Sequence, residues 1–416
     1  MSWSPLRLLR DGFAAYQRAF WVLWVGTFVN RMGLVVLPFL TLYLTVERGL
    51  RPSIATALVA GFGLGAFVAN FAGGVLADRW GRRPVLLAGL FGGAVLIALV
   101  PWVHALPLLA GLVVLLGLVT ESYRPAVSAA IVDLVDEEQR TQAFALFYWV
   151  INIGAAVAPA LAGFLAARSY GLLFALDAAT MAVYGLLLLV AFAETRPDPD
   201  LPSSSEASAL RPARALDAVR DPMLLGLAAC TLLLASLMFL MYTVFPLVFS
   251  AQGLSETDYG LIAGTNGAVI VVLSLPLAQI IKRQPPYPVL VVAGLLYAAG
   301  FALHLPASTL GGHALAVAVW TLGEIALVTM APVLVAQLSP ESVRGAYMGV
   351  YGAAWGLAHM VSPPLGGLVF ERLGAEALWT GSVGVALAGT VGFVLLGWAA
   401  RGTAERGFRE NPSGPM

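Results

Sequence analysis

The sequence from position 74 to position 84 reads Gly74-Val75-Leu76-Ala77-Asp78-Arg79-Trp80-Gly81-Arg82-Arg83-Pro84. It stands between two apolar runs, 53–76 and 84–102, and each run has about the 20 residues that a membrane-crossing helix needs. Only residues 77–83 link the two runs, and they include one acid and three arginines. Arginines in a short loop between membrane spans keep that loop on the cytoplasmic side. The stretch therefore predicts a tight inner turn between two transmembrane helices.

The composition is typical of an integral membrane protein. Of 416 residues, 59% are hydrophobic and 11% are charged, whereas soluble domains carry about 25% charged residues. The formal net charge of zero argues against a nucleic-acid partner, which would require a basic surface. Cys230 is the only cysteine, which excludes intrachain disulfides and cysteine-rich metal sites. We therefore predict no metal, no cofactor and no nucleic-acid partner.

Twelve apolar segments are predicted to cross the membrane as helices. The first six span 20–43, 53–76, 84–102, 106–131, 142–166 and 172–192, and the second six span 223–250, 258–281, 288–305, 313–338, 345–370 and 377–399. The region between them is rich in proline, serine and charge, which indicates a polar linker. The predicted domains are a first six-helix half (1–193), a cytoplasmic linker (194–222), a second six-helix half (223–400) and a cytoplasmic tail (401–416). The first domain includes a short cytoplasmic segment at its start.

The distribution of positive charge predicts the orientation. With both termini inside, the outer loops contain four arginines: Arg48, Arg51, Arg168 and Arg372. Two more, Arg31 and Arg124, fall within spans. The remaining 17 of the 23 lysines and arginines lie in inner segments. We therefore predict a multi-pass protein of a bacterial inner membrane with both termini cytoplasmic.

The two halves repeat one another. A shift of 204 residues without a gap superposes special positions over more than a hundred residues: Gly49 on Gly253, Gly63 on Gly267, Pro84 on Pro288, Arg140 on Arg344, Pro159 on Pro363 and Gly163 on Gly367. The shift also places Asp78 on Lys282, so the second copy of the 74–84 stretch lacks the acid. The fold class is therefore predicted as an all-α integral membrane protein with twelve transmembrane helices in two pseudo-symmetric six-helix halves.

The stretch 74–84 resembles the signature loop between the second and third helices of the major facilitator superfamily, because glycines, acid and bases have the expected spacing. Parallel six-helix repeats are also typical of facilitator-type transporters. The resemblance covers residues 18–400 and implies transport by alternating access around a site near the membrane midplane. It further implies an inner gate loop, in which Asp78 is the latch acid that stabilises the outward-open state. Its members are Gly74, Asp78, Arg79, Gly81, Arg82 and Arg83, and Asp133 is expected to assist them. The alternative is that these arginines only determine topology.

Glu324 is the most informative single residue, because it lies near the middle of the tenth span. A charged acid at this depth costs about 2.5–3.5 kcal/mol on insertion scales, so it needs a partner, water or a proton. Gly323-Glu324, with Pro332 and Arg344 downstream, resembles the corresponding helix of proton-coupled multidrug exporters in the superfamily. The resemblance implies that Glu324 couples transport to protons. The alternative is an acid that is permanently bonded to a neighbouring helix.

Two further charged sites lie within spans. Glu121 and Arg124 are three residues apart, so they share a helix face and are expected to pair; a role for Glu121 in the proton path is the alternative. Arg31 either faces the central cavity or neutralises an acid such as Glu121 or Glu324. Asp177, near the outer end of the sixth span, is expected to be solvated. His304 and His313, which flank an outer loop, are expected to be exposed.

The fifth span contains a run of small residues from Asn152 to Gly163 that resembles the antiporter motif of the superfamily. Ala158 replaces the glycine usual before Pro159, and residues 112–117 lack the arginine that many drug antiporters carry on the fourth span. Small residues of this kind also serve ordinary helix packing.

The predicted substrate cavity is wide and apolar with few charges, which favours lipophilic or amphipathic compounds. Its expected polar and aromatic members are Asn30, Tyr148, Asn152, Met241, Tyr242, Trp355 and His359. With no ATPase-type phosphate loop, nucleophile elbow or metal cluster in the sequence, we predict a monomeric secondary transporter and not an enzyme. Its partners would be a small-molecule substrate, protons and the lipid bilayer. Proton-coupled uptake of a polar solute, or a non-transporting membrane sensor on the same fold, are the alternatives to proton-coupled export.

Overall fold

The computed structural model describes residues 16–136, 139–195, 218–340 and 344–410. Within these ranges, the side chains at 70–75, 78, 141, 145, 344–346 and 402–410 lie outside the description. All regular secondary structure in the described ranges is helical. The predicted all-α class is therefore confirmed.

The helices, numbered in chain order, are α1 (Arg18–Met32), α2 (Val36–Leu42), α3 (Pro52–Trp80), α4 (Arg82–Leu99), α5 (Leu106–Leu134), α6 (Arg140–Ala166), α7 (Tyr170–Ala191), α8 (Pro222–Leu240), α9 (Phe245–Ala251), α10 (Glu256–Ile281), α11 (Pro286–Leu303), α12 (Leu310–Leu338) and α13 (Arg344–Glu410). A π-helical turn, Tyr43–Glu47, follows α2, and a 3-10 turn, Val100–Trp102, follows α4.

Eleven helical segments in the described ranges are long and apolar enough to cross a membrane. The last of them belongs to α13, which is interrupted at Gly374, where a φ of +82° and a ψ of −177° are not helical. This break divides α13 into the eleventh and twelfth predicted spans. The prediction of twelve membrane-crossing segments is thereby confirmed.

Contacts within the chain define two compact units. Unit 1 comprises 1–203, 240–271 and 360–372, and unit 2 comprises 204–239, 272–359 and 373–416. Unit 1 thus combines the first six spans with parts of the seventh, eighth and eleventh. The predicted linker at 194–222 stays a prediction, because residues 196–217 lie outside the described ranges.

The first and seventh spans, predicted as continuous helices, are each interrupted. The first breaks between α1 and α2, and the seventh breaks between α8 and α9. Both end at a left-handed glycine, Gly49 with a φ of +64° and Gly253 with a φ of +82°, a conformation that glycine adopts without steric cost. The 204-residue shift superposes these two glycines, so the internal repeat is present in the backbone.

Asp177 on α7 is not solvated as expected; its residue is only 1% exposed. Its Oδ2 accepts a hydrogen bond from the backbone N–H of Val36 at 3.1 Å. Val36 begins α2, and the first N–H groups of a helix have no carbonyl partner within that helix. The break in the first span therefore explains why an acid is buried here.

His304 and His313 are also buried, and the prediction that they are exposed is wrong. Their Nδ1 atoms lie 2.8 Å apart, and the His304 ring stacks on Trp379 at 4.5 Å between centroids. The pair therefore packs the ends of α11 and α12 against each other.

Helices α3 and α5 cross in close contact through glycine. A Cβ atom on Gly117 would collide with the backbone carbonyl of Phe62, and one on Gly65 would collide with that of Val114. Small residues allow transmembrane helix backbones to approach in this way. Gly111, on the same helix α5, has nothing within 4 Å of a Cβ position.

We predict that Gly117→Ala lowers the free energy of unfolding by about 1–3 kcal/mol, because the added methyl forces two backbones apart. Gly111→Ala is the matched control and should leave stability unchanged or slightly raised. Thermal unfolding of the purified variants in one detergent measures the difference. Equal stability of the two variants would contradict the close crossing.

Candidate functional site

The stretch 74–84 forms a turn of one residue, where the sequence predicts a loop of seven. Helix α3 continues to Trp80 and α4 starts at Arg82, so Gly81 alone joins them. Gly81 has a φ of +101°, which lies in a region that side-chain-bearing residues rarely adopt. The glycine at this position therefore permits the tightest part of the turn.

Arg82 connects three helix ends at this turn. The residue is 9% exposed, and its Nε lies 3.0 Å from Asp133 Oδ2 on α5. Its Nη1 donates to the carbonyl oxygen of Ala77 at 3.0 Å, which satisfies a carbonyl at the end of α3. The structure thus brings together two predicted gate residues, Arg82 and Asp133.

Glu194 also contacts this turn, and the sequence reasoning missed it. Arg82, Arg83, Asp133 and Glu194 together are named the inner-end cluster. The Glu194 carboxylate accepts hydrogen bonds from the backbone N–H groups of Arg82 at 2.8 Å and Arg83 at 3.1 Å. A carboxylate at a helix N-terminus is favoured by the unpaired N–H groups and the helix dipole. The signal available in the sequence was an acid directly after the sixth span, on the same inner side as the 74–84 stretch.

Of the remaining predicted gate residues, Arg83 forms a hydrogen bond to α7 and Arg79 does not lie in the protein interior. The side chain of Arg83 donates from Nη2 to the carbonyl oxygen of Leu189 at 2.8 Å, and Arg79 is exposed. Gly74 and Asp78 lie in α3, and beyond this backbone assignment their surroundings are outside the description. The latch role of Asp78 therefore stays a prediction.

Arg31 lies in a polar cluster on the first span. The Arg31 cluster consists of Asn30, Arg31, Tyr123 and Gly154. Tyr123 donates its hydroxyl to Asn30 Oδ1 at 3.2 Å, and Arg31 Nη2 donates to the Tyr123 hydroxyl oxygen at 3.4 Å. A Cβ atom on Gly154 would collide with Arg31, so α6 contacts α1 at this level. The cluster therefore joins α1, α5 and α6, and its members other than the Arg31 cation are uncharged.

Glu121 forms an ion pair with Arg124 on its own helix. Its Oε2 lies 3.0 Å from Arg124 Nη1, so the pairing expected from their spacing is present. The structure does not place Glu121 against Arg31. Of the two acids named as partners for Arg31, Glu121 is therefore already neutralised on its own helix.

Glu324 lies on α12, where the preceding residue contacts α11. A Cβ atom on Gly323 would be 2.6 Å from the carbonyl oxygen of Ala293 and 3.0 Å from the ring of Tyr297. Helices α11 and α12 are therefore in close contact one residue before Glu324, whose residue is intermediate in exposure. Unit 2 therefore holds an acid on a membrane-spanning helix that is neither fully buried nor fully exposed.

Residues of the fifth-span motif pack against α10 within unit 1. A Cβ atom on Gly163 would collide with Glu256, and one on Gly260 would collide with the carbonyl of Pro159. Nearby, the Tyr259 hydroxyl lies 3.0 Å from the carbonyl oxygens of both Pro38 and Met241. The motif therefore forms a close helix contact at the ends predicted to face outside.

A further outer contact joins α3 to α13. The backbone N–H of Ser53 donates to Glu371 Oε2 at 2.8 Å. Hydrogen bonds from Ser53 lower the pKa of Glu371. Unit 1 thus contains several contacts between first-half helices and second-half segments.

The predicted cavity residues have diverse surroundings. Asn152 is buried and donates to the carbonyl of Tyr148, whose side chain is exposed. Met241 is fully buried at the break in the seventh span. His359 stacks on Phe239 at 4.3 Å. Tyr242 and Trp355 are intermediate in exposure. Their membership of a substrate site stays a prediction.

We predict that Asp133→Asn weakens the inner-end cluster, because it removes the negative partner of the buried Arg82 guanidinium. The expected loss is about 1–3 kcal/mol of unfolding free energy. Asp136→Asn, an exposed acid three residues further along, is the matched control. Thermal unfolding measures both variants, and an equal effect of the two would contradict the role of the Arg82–Asp133 pair.

Comparison with known proteins gives a family match over most of the chain. The family model of the Major Facilitator Superfamily matches residues 23–363. The chain is 26% identical to the uncharacterized MFS-type transporter YqjV of Bacillus subtilis over 85% of this chain and 87% of that protein. It is 27% identical to a Na(+), Li(+), K(+)/H(+) antiporter of Planococcus maritimus, over 84% of this chain and 88% of that protein.

A third relative and a solved structure agree with this match. The quinolone resistance protein NorA of Staphylococcus aureus is 28% identical over 38% of this chain and 41% of that protein. The crystal structure of the nucleoside transporter NupG superposes with a TM-score of 0.75 at 15% identity, over 91% of this chain and 99% of that chain. The helical architecture, the repeat and the family match together identify this chain as a multi-pass membrane transporter of the major facilitator superfamily.

Proposed function

We propose that this secondary transporter exports small lipophilic or amphipathic compounds in exchange for protons, by alternating access. The observation that carries the proposal is Glu324, an acid on a membrane-spanning helix held in place by the contact of Gly323 with α11. An ionisable residue within a membrane span marks a substrate or proton path by default. Glu324 is intermediate in exposure, and the proposal requires that water reaches its exposed part so that the acid can exchange a proton.

Relatives support the antiport and export parts of the proposal. One is an antiporter that exchanges monovalent cations for protons, and another is a quinolone resistance protein. Exchange of a monovalent cation for protons is therefore the second candidate function. Both candidates require a proton carrier within the membrane, and both assign that role to Glu324.

The gating part of the proposal rests on the inner-end cluster and on the outer contacts within unit 1. We expect the contacts of Tyr259 with Pro38 and of Ser53 with Glu371 to break when the transporter opens outward. The 74–84 turn, with Asp78 as its latch acid, would then hold the inner ends of the helices. Glu121 and Arg31 complete the proposed coupling set, and Glu121 is the next proton carrier to test after Glu324.

The proposed setting is a bacterial inner membrane, with both termini in the cytoplasm and the protein acting as a monomer. The arginine distribution supports this orientation. In this orientation the turn at Gly81 faces the cytoplasm, and the Ser53–Glu371 contact faces outside.

We predict that Glu324→Gln abolishes proton-driven transport while substrate binding is retained, because glutamine mimics the protonated acid. Purified protein in proteoliposomes is given a pH gradient and a panel of anionic, neutral and cationic fluorescent amphiphiles, with sodium and potassium ions as a separate arm. The wild type should accumulate at least one of these against its gradient. Glu376→Gln changes an exposed acid and serves as the matched control. Accumulation by the Glu324→Gln variant would show that the proton carrier lies elsewhere.

We also predict an asymmetry between the two copies of the repeat. Asp78→Asn should shift the resting ensemble toward inward-open and sharply reduce transport, whereas Lys282→Gln, at the equivalent position, should change little. Spin-label distances across the inner and outer faces report the populations. If the two substitutions have equal effects, Asp78 is not a latch.

A further inference from the structure

Arg31 carries a buried positive charge, and among the described residues its guanidinium donates to a neutral group alone, the Tyr123 hydroxyl. The residue is 9% exposed, and its Nε is buried without a hydrogen-bond partner. A charge within a membrane span is costly unless it is paired or reaches water. The position of Arg31 in the last turn of α1 offsets part of this cost, because the helix dipole favours a cation there. The remaining cost calls for an anionic partner.

The described part of unit 1 provides no such partner. Glu121 is paired with Arg124 at 3.0 Å, and Asp177 accepts the backbone N–H of Val36. Among the described residues of the unit, no carboxylate forms an ion pair with Arg31 within 4.0 Å. The described side chains of unit 1 therefore leave this charge without an anion.

The Arg31 cluster is held in place and offers donors. Gly154 keeps α6 in contact with the backbone of Arg31. The Tyr123 hydroxyl hydrogen is directed to Asn30 Oδ1, so the Tyr123 oxygen accepts from Arg31. The Arg31 guanidinium has donors only, and its Nε–H has no acceptor among the described residues. This unmet donor capacity is suited to an anion.

We propose that Arg31 binds an anionic oxygen group, a carboxylate, of the transported compound, so that the substrates include amphipathic organic acids. The planar guanidinium matches a carboxylate with two parallel N–H groups, and we expect apolar side chains of the spans to contact the body of the molecule. This inference rests on the proposed transport function and names its substrate class. A lipid phosphate has the same anionic oxygens, so the test separates the two sources.

The test compares three probes with nearly the same skeleton: phenylacetate, phenethyl alcohol and phenethylamine. Each is titrated by calorimetry into the full-length protein in nanodiscs of phosphatidylcholine, without a pH gradient. We expect phenylacetate to bind about tenfold or more tightly than the alcohol, as a charge-assisted bidentate contact allows. The amine should bind no better than the alcohol.

Variants assign the preference to Arg31. Arg31→Gln should bind phenylacetate and the alcohol equally. Arg31→Lys keeps the charge but loses the planar fork, so it should retain the preference at several-fold lower affinity. Arg168→Gln, which removes an exposed arginine stacked on Phe164, is the matched control and should bind all three probes as the wild type does.

Several results would overturn the inference. These are the absence of a phenylacetate preference in the wild type, its persistence in Arg31→Gln, or an unchanged affinity in Arg31→Lys. Loss of phenylacetate binding in nanodiscs that contain phosphatidylglycerol would assign the site to a lipid headgroup instead. The titration does not depend on a proton carrier, so it is independent of the Glu324 test. If the phenylacetate preference depends on Arg31 but the Glu324→Gln variant still accumulates substrate, the anion site stands and the coupling role of Glu324 is wrong. If the Glu324→Gln variant fails to accumulate substrate but no Arg31-dependent preference is found, the coupling role stands and the anion site is wrong.

Discussion

The first N–H groups of a helix have no carbonyl partner within that helix, so a helix that begins away from water must find acceptors elsewhere. Unit 1 meets this requirement at two helix starts. Where the first span breaks, Asp177 accepts the N–H of Val36. Where α4 begins, Glu194 accepts the N–H groups of Arg82 and Arg83. In each case an acid from α7 or its C-terminal extension satisfies a helix start on another part of the chain.

The number and order of the spans could be predicted from the sequence because they depend on average hydropathy over some twenty residues. The same averaging hides an interruption of three or four residues, so the breaks in the first and seventh spans were missed. A glycine at position 81 indicated a turn, but the sequence could not show that both helices continue up to it. The left-handed glycines 49 and 253 were found as a repeat, although their backbone conformation was not predicted.

From the residue pattern alone, side-chain partners were predictable only within one helix, and the association of Asp133 with the 74–84 stretch came from the family resemblance. Glu121 and Arg124 pair because three residues along a helix bring them to the same face, and no tertiary information is needed. Asp177, His304 and His313 were misplaced because their burial depends on which helix lies opposite. The surroundings of Arg31 likewise depend on a crossing of α1, α5 and α6 that is fixed by Gly154. No pattern along the chain determines that crossing.

The turn at Gly81 also has a mechanical consequence. A loop of seven residues would allow α3 and α4 to move independently at their inner ends. A single residue leaves no slack, and Arg82 is bonded at once to α3 through Ala77 and to α5 through Asp133. A displacement of one of these helix ends is therefore transmitted to the other two as the movement of one rigid body. A conformational change that displaces the inner end of α3, α4 or α5 therefore moves the inner ends of all three helices.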